Sequence, residues 1–216
     1  MTGLRAEVPA AGTGAVAWRV RFVAAYAVAM ALALGLAGAA ACGLKLQWYL
    51  ATGLFAFAMA TFQFVVVRIA RLPLRGWWPL TLVGMVAAVP AAFTAVYVLS
   101  IVLLGVPASI GVEEIPPVFI ALPFILSAAA AAIVVAAVQS VAFRAAPDRL
   151  FAQWIVANAV AGLIAAPAIE HVVLGCALIG IGPEWLEGPI AWIVGGALGG
   201  VFTGLALARL RPAAAR

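Results

Sequence analysis

The chain has 216 residues, 68% of them hydrophobic and only 9% charged, with a formal net charge of +5. A soluble domain carries roughly 25% charged and 45–50% apolar residues, so lipid must be the solvent for much of this surface. The basic excess sits in short clusters between apolar runs, with no basic face carrying interleaved aromatics, which argues against a nucleic-acid partner.

Two cysteines without C-x-x-C spacing exclude a disulfide framework, and a single histidine excludes a multi-histidine metal site within one chain. No cofactor motif is present: G-x-x-x-x-G-K-[ST], H-E-x-x-H and G-x-S-x-G are all missing. The composition predicts an all-α polytopic membrane helix bundle.

A membrane-crossing helix needs about 20 predominantly apolar residues, and six such runs follow in order. They are Phe22–Gly43, Trp48–Val67, Pro79–Leu104, Val118–Phe143, Phe151 to about Leu174, and Pro189–Ala208. Apolar sequence continues past the fifth run to Ile181, so its end is the least defined. The chain divides into an N-terminal tail (1–21), a six-helix domain (22–208) and a C-terminal tail (209–216).

Charges between the runs alternate. One set of segments carries Arg5, Arg19, Arg21, Arg68, Arg71, Arg75, Arg144, Arg149, Arg209, Arg211 and Arg216; the other carries Lys45 with Glu113, Glu114, Glu184 and Glu187. The excess of arginine on one side predicts that this side, with both termini, is cytoplasmic in a bacterial inner (plasma) membrane. Arg19 and Arg21 before a stretch ending Ala39-Ala40-Ala41-Cys42 also mimic a secretory or lipoprotein signal, but the stretch is long for one. An uncleaved first helix completes the alternation.

Sliding the chain by 76 residues superposes Gln63 on Gln139, Arg68 on Arg144, Leu74 on Leu150 and Trp78 on Trp154. Each unit is a descending helix, an arginine at its inner end, a short basic loop and a tryptophan opening the ascending helix. Arg68, Arg144 and Arg209, with Trp78 and Trp154, are the expected cytoplasmic interface anchors. The pattern suggests three related hairpins: the second helix with the third, the fourth with the fifth, and the sixth with the first. Convergence of any membrane hairpin on Arg and Trp at its inner end would produce the same matches.

The segments Gln63-Phe-Val-Val-Val-Arg68 … Gly76-Trp77-Trp78 and Gln139-Ser-Val-Ala-Phe-Arg144 … Gln153-Trp154-Ile-Val-Ala-Asn158 resemble a repeated pattern of uncharacterised bacterial small multi-pass membrane proteins. In that pattern Q-W-x-x-L-R precedes G-x-W-x-x-A-N; here Phe64 and Ser140 stand where it has tryptophan. The resemblance covers about half the chain and implies no activity. In size, helix count and the alanine stripe of the first helix, the chain also resembles substrate-binding subunits of energy-coupling-factor transporters, without a substrate-binding signature.

Candidate polar or ligand-site residues are few. Glu170 and His171 lie three and four residues past Pro167 in the fifth run, and an ionisable group inside a membrane is a functional hypothesis by default. At about 1.5 Å per residue, Glu170 stands about 28 Å above Phe151, close to the outer edge of a core about 30 Å thick. That height favours an interfacial pair reaching water.

Asn158 shares a helix face with Trp154, Gly162 and Ala166, and suits either a cavity wall or a close-packed helix contact. Gln63 and Gln139 sit near inner helix ends, where packing is the safer reading. Small-residue stripes on the first helix (Ala25, Ala29, Ala33, Ala37, Ala41) and the sixth (Gly196, Gly200, Gly204) suit internal contacts first, or a homo-oligomer or protein-partner seam. Cys42 and Cys176 both fall near outer helix ends, and spacing does not decide whether they pair. The external glutamates suit ordinary solvated loops.

Three functions compete. The first is a component that binds or passes a small-molecule solute, and the second a non-catalytic accessory subunit packed against a partner. The third, an intramembrane enzyme using Glu170 and His171, has only that pair behind it. The charge alternation makes one prediction: reporters fused in the Arg71–Arg75 loop and after Arg216 should report cytoplasm, and one fused near Glu113 the opposite side. Like signals from the Arg75 and Glu113 fusions would contradict the six-helix topology.

Overall fold

The computed structural model describes residues 13–40, 47–72, 74–105, 117–143, 148–179 and 184–209. Within them the elements are α1 (Thr13–Gly38), α2 (Trp48–Ile69), α3 (Trp77–Ser100), α4 (Pro117–Gln139), α5 (Asp148–Ile179) and α6 (Glu184–Leu207). A short π turn, Ile101–Gly105, extends α3, and a 3₁₀ turn, Ser140–Phe143, tightens the end of α4. All six long helices are long and apolar enough to cross a membrane. The described part is a membrane-type helix bundle, as the composition predicts.

Three boundaries differ from the sequence expectation. α1 starts at Thr13, well before Phe22, and Trp18 stacks on Phe22 at 5.4 Å, which gives the added turns something to pack on. α5 runs on to Ile179: past Glu170 and His171 the stretch Val172–Ile179 is apolar again and holds no proline to end the helix. α6 begins at Glu184, ahead of Pro189.

Each helix packs on its neighbours in sequence, and α6 returns to α1, so the six close into a ring. The most extensive interfaces are α1 with α6, α5 with α6 and α3 with α4; the thinnest is α2 with α3. Lipid supplies no hydrophobic force between helices, so close backbone approach must hold them. Adjacent glycine pairs wedge α6 between its neighbours: a Cβ on Gly196 or Gly200 would meet α1 at 2.6 Å, and one on Gly195 would meet Ile169 of α5 at 2.6 Å. Gly162 of α5 lies equally close to Ala128 and Ala129 of α4.

Ala29, Ala33 and Ala37 of the α1 stripe are buried, whereas Ala25 is exposed and Ala41 lies outside the described residues. The opposite faces carry exposed Val83, Val86, Phe93 and Tyr97 on α3 and Val28, Leu32 and Leu36 on α1, as a lipid-facing surface should.

Arg68, Arg71, Arg75 and Arg209 all lie at one end of the ring and are exposed, and Arg144 lies outside the described residues. Arg71 closes α2 in a left-handed conformation (φ 53°), with its N–H donating to the Arg68 carbonyl and that of Leu72 to Val67. This is the helix-ending turn in which glycine is the usual residue.

The close contacts predict which glycines resist a side chain. Gly200→Ala and Gly162→Ala should each destabilise by about 1–3 kcal/mol through overpacking. Gly53→Ala, with nothing within 4 Å, should match or exceed wild type, because alanine is the better helix former by about 1 kcal/mol. Unfolding titration in mixed micelles measures all three.

Candidate functional site

Polar side chains buried in lipid-solvated helices must find partners within the protein. At the arginine end the ring interior holds one such assembly. Gln139 of α4 is 1% exposed, and its amide N–H groups donate to Gln63 Oε1 at 3.1 Å and to Thr81 Oγ1 at 2.8 Å. Thr81 in turn donates to the Trp77 carbonyl at 2.8 Å. That commits the hydroxyl proton, so only a donor can face the Thr81 oxygen, which fixes the Gln139 amide orientation. Gln63 spends its own N–H groups on two thioethers, Met30 Sδ at 3.1 Å and Met59 Sδ at 3.2 Å.

Four helices therefore meet through one chain of contacts. α2 and α4 share no backbone-level packing, so the Gln63–Gln139 bond spans the ring interior between helices that are not neighbours.

An aromatic wedge lies beside the amides. Trp77, Phe143 and Trp154 meet edge to face, with ring centroids 5.5–6.0 Å apart. The 3₁₀ turn after α4 carries Phe143 into this group. Trp77 opens α3 and Trp154 stands nearly two turns into α5, and each is followed four residues on by a buried polar side chain bonded to its carbonyl. Those residues are Thr81 and Asn158, the latter donating from Nδ2 at 2.9 Å.

Three buried polar atoms in this cluster have no partner: Gln139 Oε1 and the indole N–H groups of Trp77 and Trp154. The Tyr26 hydroxyl, also buried, lies near Thr203 without a well-formed hydrogen bond.

Burial is uneven along the ring. On α2, α3 and α5 the last fully buried described positions toward the far end are Ala56, Ala88 and Ala161. Beyond Ala88 the same face of α3 continues with Ala92 and Ala95, both half-buried. α1 and α6 stay closely packed further along, through Ala37 and Ala191. α4 also stays buried toward that end, at Ser127 and Pro123, so burial falls off on α2, α3 and α5 and persists on the other three helices.

Among the sequence candidates, Asn158 is buried beside the wedge, bonded within its own helix and not across to another. Trp154 is in the wedge itself. Trp78, half-buried, turns outward and donates to Thr61 Oγ1 at 3.3 Å, so the residue that meets Trp154 is its neighbour Trp77. Arg68 and Arg209 stand exposed at helix ends. Glu170 and His171 lie on the described backbone of α5, between two and three turns beyond Ala161, but their side chains fall outside the described residues. Cys42 and the Cys176 side chain do so as well. Among the described residues no group of His, Cys, Asp or Glu could hold a metal ion.

Trp77, Thr81, Met30, Met59 and Tyr26 escaped the sequence reading. The shared spacing of Trp77 to Thr81 and Trp154 to Asn158 would have pointed to two of them. Comparison with family models, curated proteins and solved structures finds no match for this chain.

The amide bridge predicts strong coupling. Gln63→Leu and Gln139→Leu should each destabilise by about 1–2 kcal/mol by orphaning the other's polar atoms, and the double variant should cost less than their sum. Unfolding of the two single variants and the double one gives the cycle; additive losses would contradict the bridge.

Proposed function

We propose that the protein is a small-solute binding or transport component of a bacterial inner membrane, with both termini cytoplasmic. The observation that carries this reading is the buried set of unpartnered polar atoms, Gln139 Oε1 with the Trp77 and Trp154 indole N–H groups, at the arginine end of a ring in which α2, α3 and α5 become less buried toward the other end. Buried polar groups are nearly always paired, so an acceptor and two donors left over in one cluster favour a hydrogen-bonding guest.

The guest is neutral. The unpartnered atoms are an amide oxygen and two indole N–H groups, all uncharged, and every described arginine side chain is exposed, so the cluster itself offers an ion no counter-charge. Entry is from the end opposite the arginines, where Ala92 and Ala95 continue the interior face of α3. Asn158 and, further along α5, Glu170 and His171 belong to the same route in this reading. The glycine stripes that could serve an accessory subunit as a partner seam are occupied inside the ring.

The test is native mass spectrometry of the protein purified in mild detergent. A retained neutral small molecule, diminished at least ten-fold in Gln139→Leu or Asn158→Leu, is the expected result. A folded chain carrying lipid alone, or a stoichiometric protein partner, would overturn the proposal.

A further inference from the structure

The thin interface between α2 and α3 leaves a crevice of about 640 Å³ open to the side of the ring. Its walls are Phe57, Thr61, Phe64 and Val65 of α2, facing Gly76, Trp77, Trp78 and Pro79 at the start of α3. The lining is almost wholly apolar, apart from the Trp78–Thr61 hydrogen bond. Trp77, fully buried, contributes to the wall, and its indole N–H has no partner.

The cationic α2–α3 turn closes the crevice at the arginine end. The Arg68 guanidinium sits 5.8 Å over the ring of Phe64, a wall residue. Arg75 directly precedes Gly76, and Arg71 holds the left-handed position where glycine would be unstrained. All three arginines are exposed. No Asp or Glu occurs between Glu7 and Glu113, so neither helix that walls the crevice nor the turn between them carries a carboxylate. Three exposed arginines at one end of an apolar, bilayer-facing groove match the two halves of one kind of molecule.

We propose that the α2–α3 crevice binds an anionic phospholipid, with an acyl chain along Phe57, Phe64 and Val65 and the phosphate on Arg68, Arg71 and Arg75. The proposal does not rest on the solute reading: the groove lies on the outer flank of the ring and shares only Trp77 with the interior cluster. Arginine is the suited cation, because its planar fork matches phosphate oxygens.

The experiment is native mass spectrometry of the full chain released from nanodiscs holding equal phosphatidylglycerol and phosphatidylcholine. Wild type should retain phosphatidylglycerol preferentially. Arg68→Gln and Arg75→Gln should each lower the retained ratio about five-fold, the worth of one basic residue near a lipid surface. Arg71→Gly should lower it while keeping or raising the melting temperature, which separates lipid binding from folding. Val65→Trp, which fills the groove and leaves the arginines intact, should lower retention too. Equal retention of the two lipids by wild type would overturn the proposal. So would loss in the arginine variants with none in Val65→Trp, which would mean diffuse surface attraction and no groove site.

Discussion

Inside a bilayer a polar side chain has no water to fall back on, and every helix in this ring is solvated by lipid on its outer face. The Gln63–Gln139–Thr81 assembly answers that constraint by turning inward. One amide uses both N–H groups on oxygens, the other uses both on sulfurs, and the threonine passes its proton back to the Trp77 carbonyl. The consequence is positional. Because α2 and α4 are not neighbours, a bond between their side chains sets the width of the interior at the arginine end, and the Trp77–Phe143–Trp154 wedge fills what remains.

The rest of the ring is held by shape. Glycines of α6 admit the backbone of α1 on one side and Ile169 of α5 on the other, and Gly162 brings α5 onto α4. No comparable small-residue contact joins α2 to α3: Gly53 has open space and Gly76 meets only Leu80 of its own helix. The thin interface and the crevice therefore follow from the same feature, bulky Phe57, Phe64 and Val65 where α6 has glycine. Polar closure at one end and uneven helix packing along the sides together underlie the proposed interior guest site and the proposed lateral lipid groove.

Much of the fold was legible because hydropathy and charge are strong signals in a membrane chain. The six runs and the clustering of arginines at one end follow from apolar length and Arg placement. The helix ends were less legible, since Thr13–Arg21 extends α1 alongside the Trp18–Phe22 stack and Gly175–Ile179 extends α5 on apolar character, neither of which length counting weighs. The internal use of Gly196, Gly200 and Gly204 agrees with the first choice made from spacing.

The site was half visible. Gln63 and Gln139 stood out as equivalents 76 residues apart, yet spacing cannot reveal that they touch across the ring. The tryptophan matched by the same shift is Trp78, whereas Trp77 enters the wedge. A one-residue offset rotates a helix by about 100°, enough to exchange an outward ring for an inward one. Met30 and Met59 were invisible because methionine reads as apolar filler until a donor is placed beside its sulfur.

The central claim is that the interior is sealed at the arginine end and open toward the other. The most direct measurement is cysteine accessibility in a background with Cys42 and Cys176 replaced by alanine, using a membrane-impermeant thiol reagent applied to each side separately. Ala95→Cys should react from the side opposite the arginines, and Thr81→Cys from neither. Reaction of Thr81→Cys from the arginine side, or no reaction of Ala95→Cys from the other, would contradict the account.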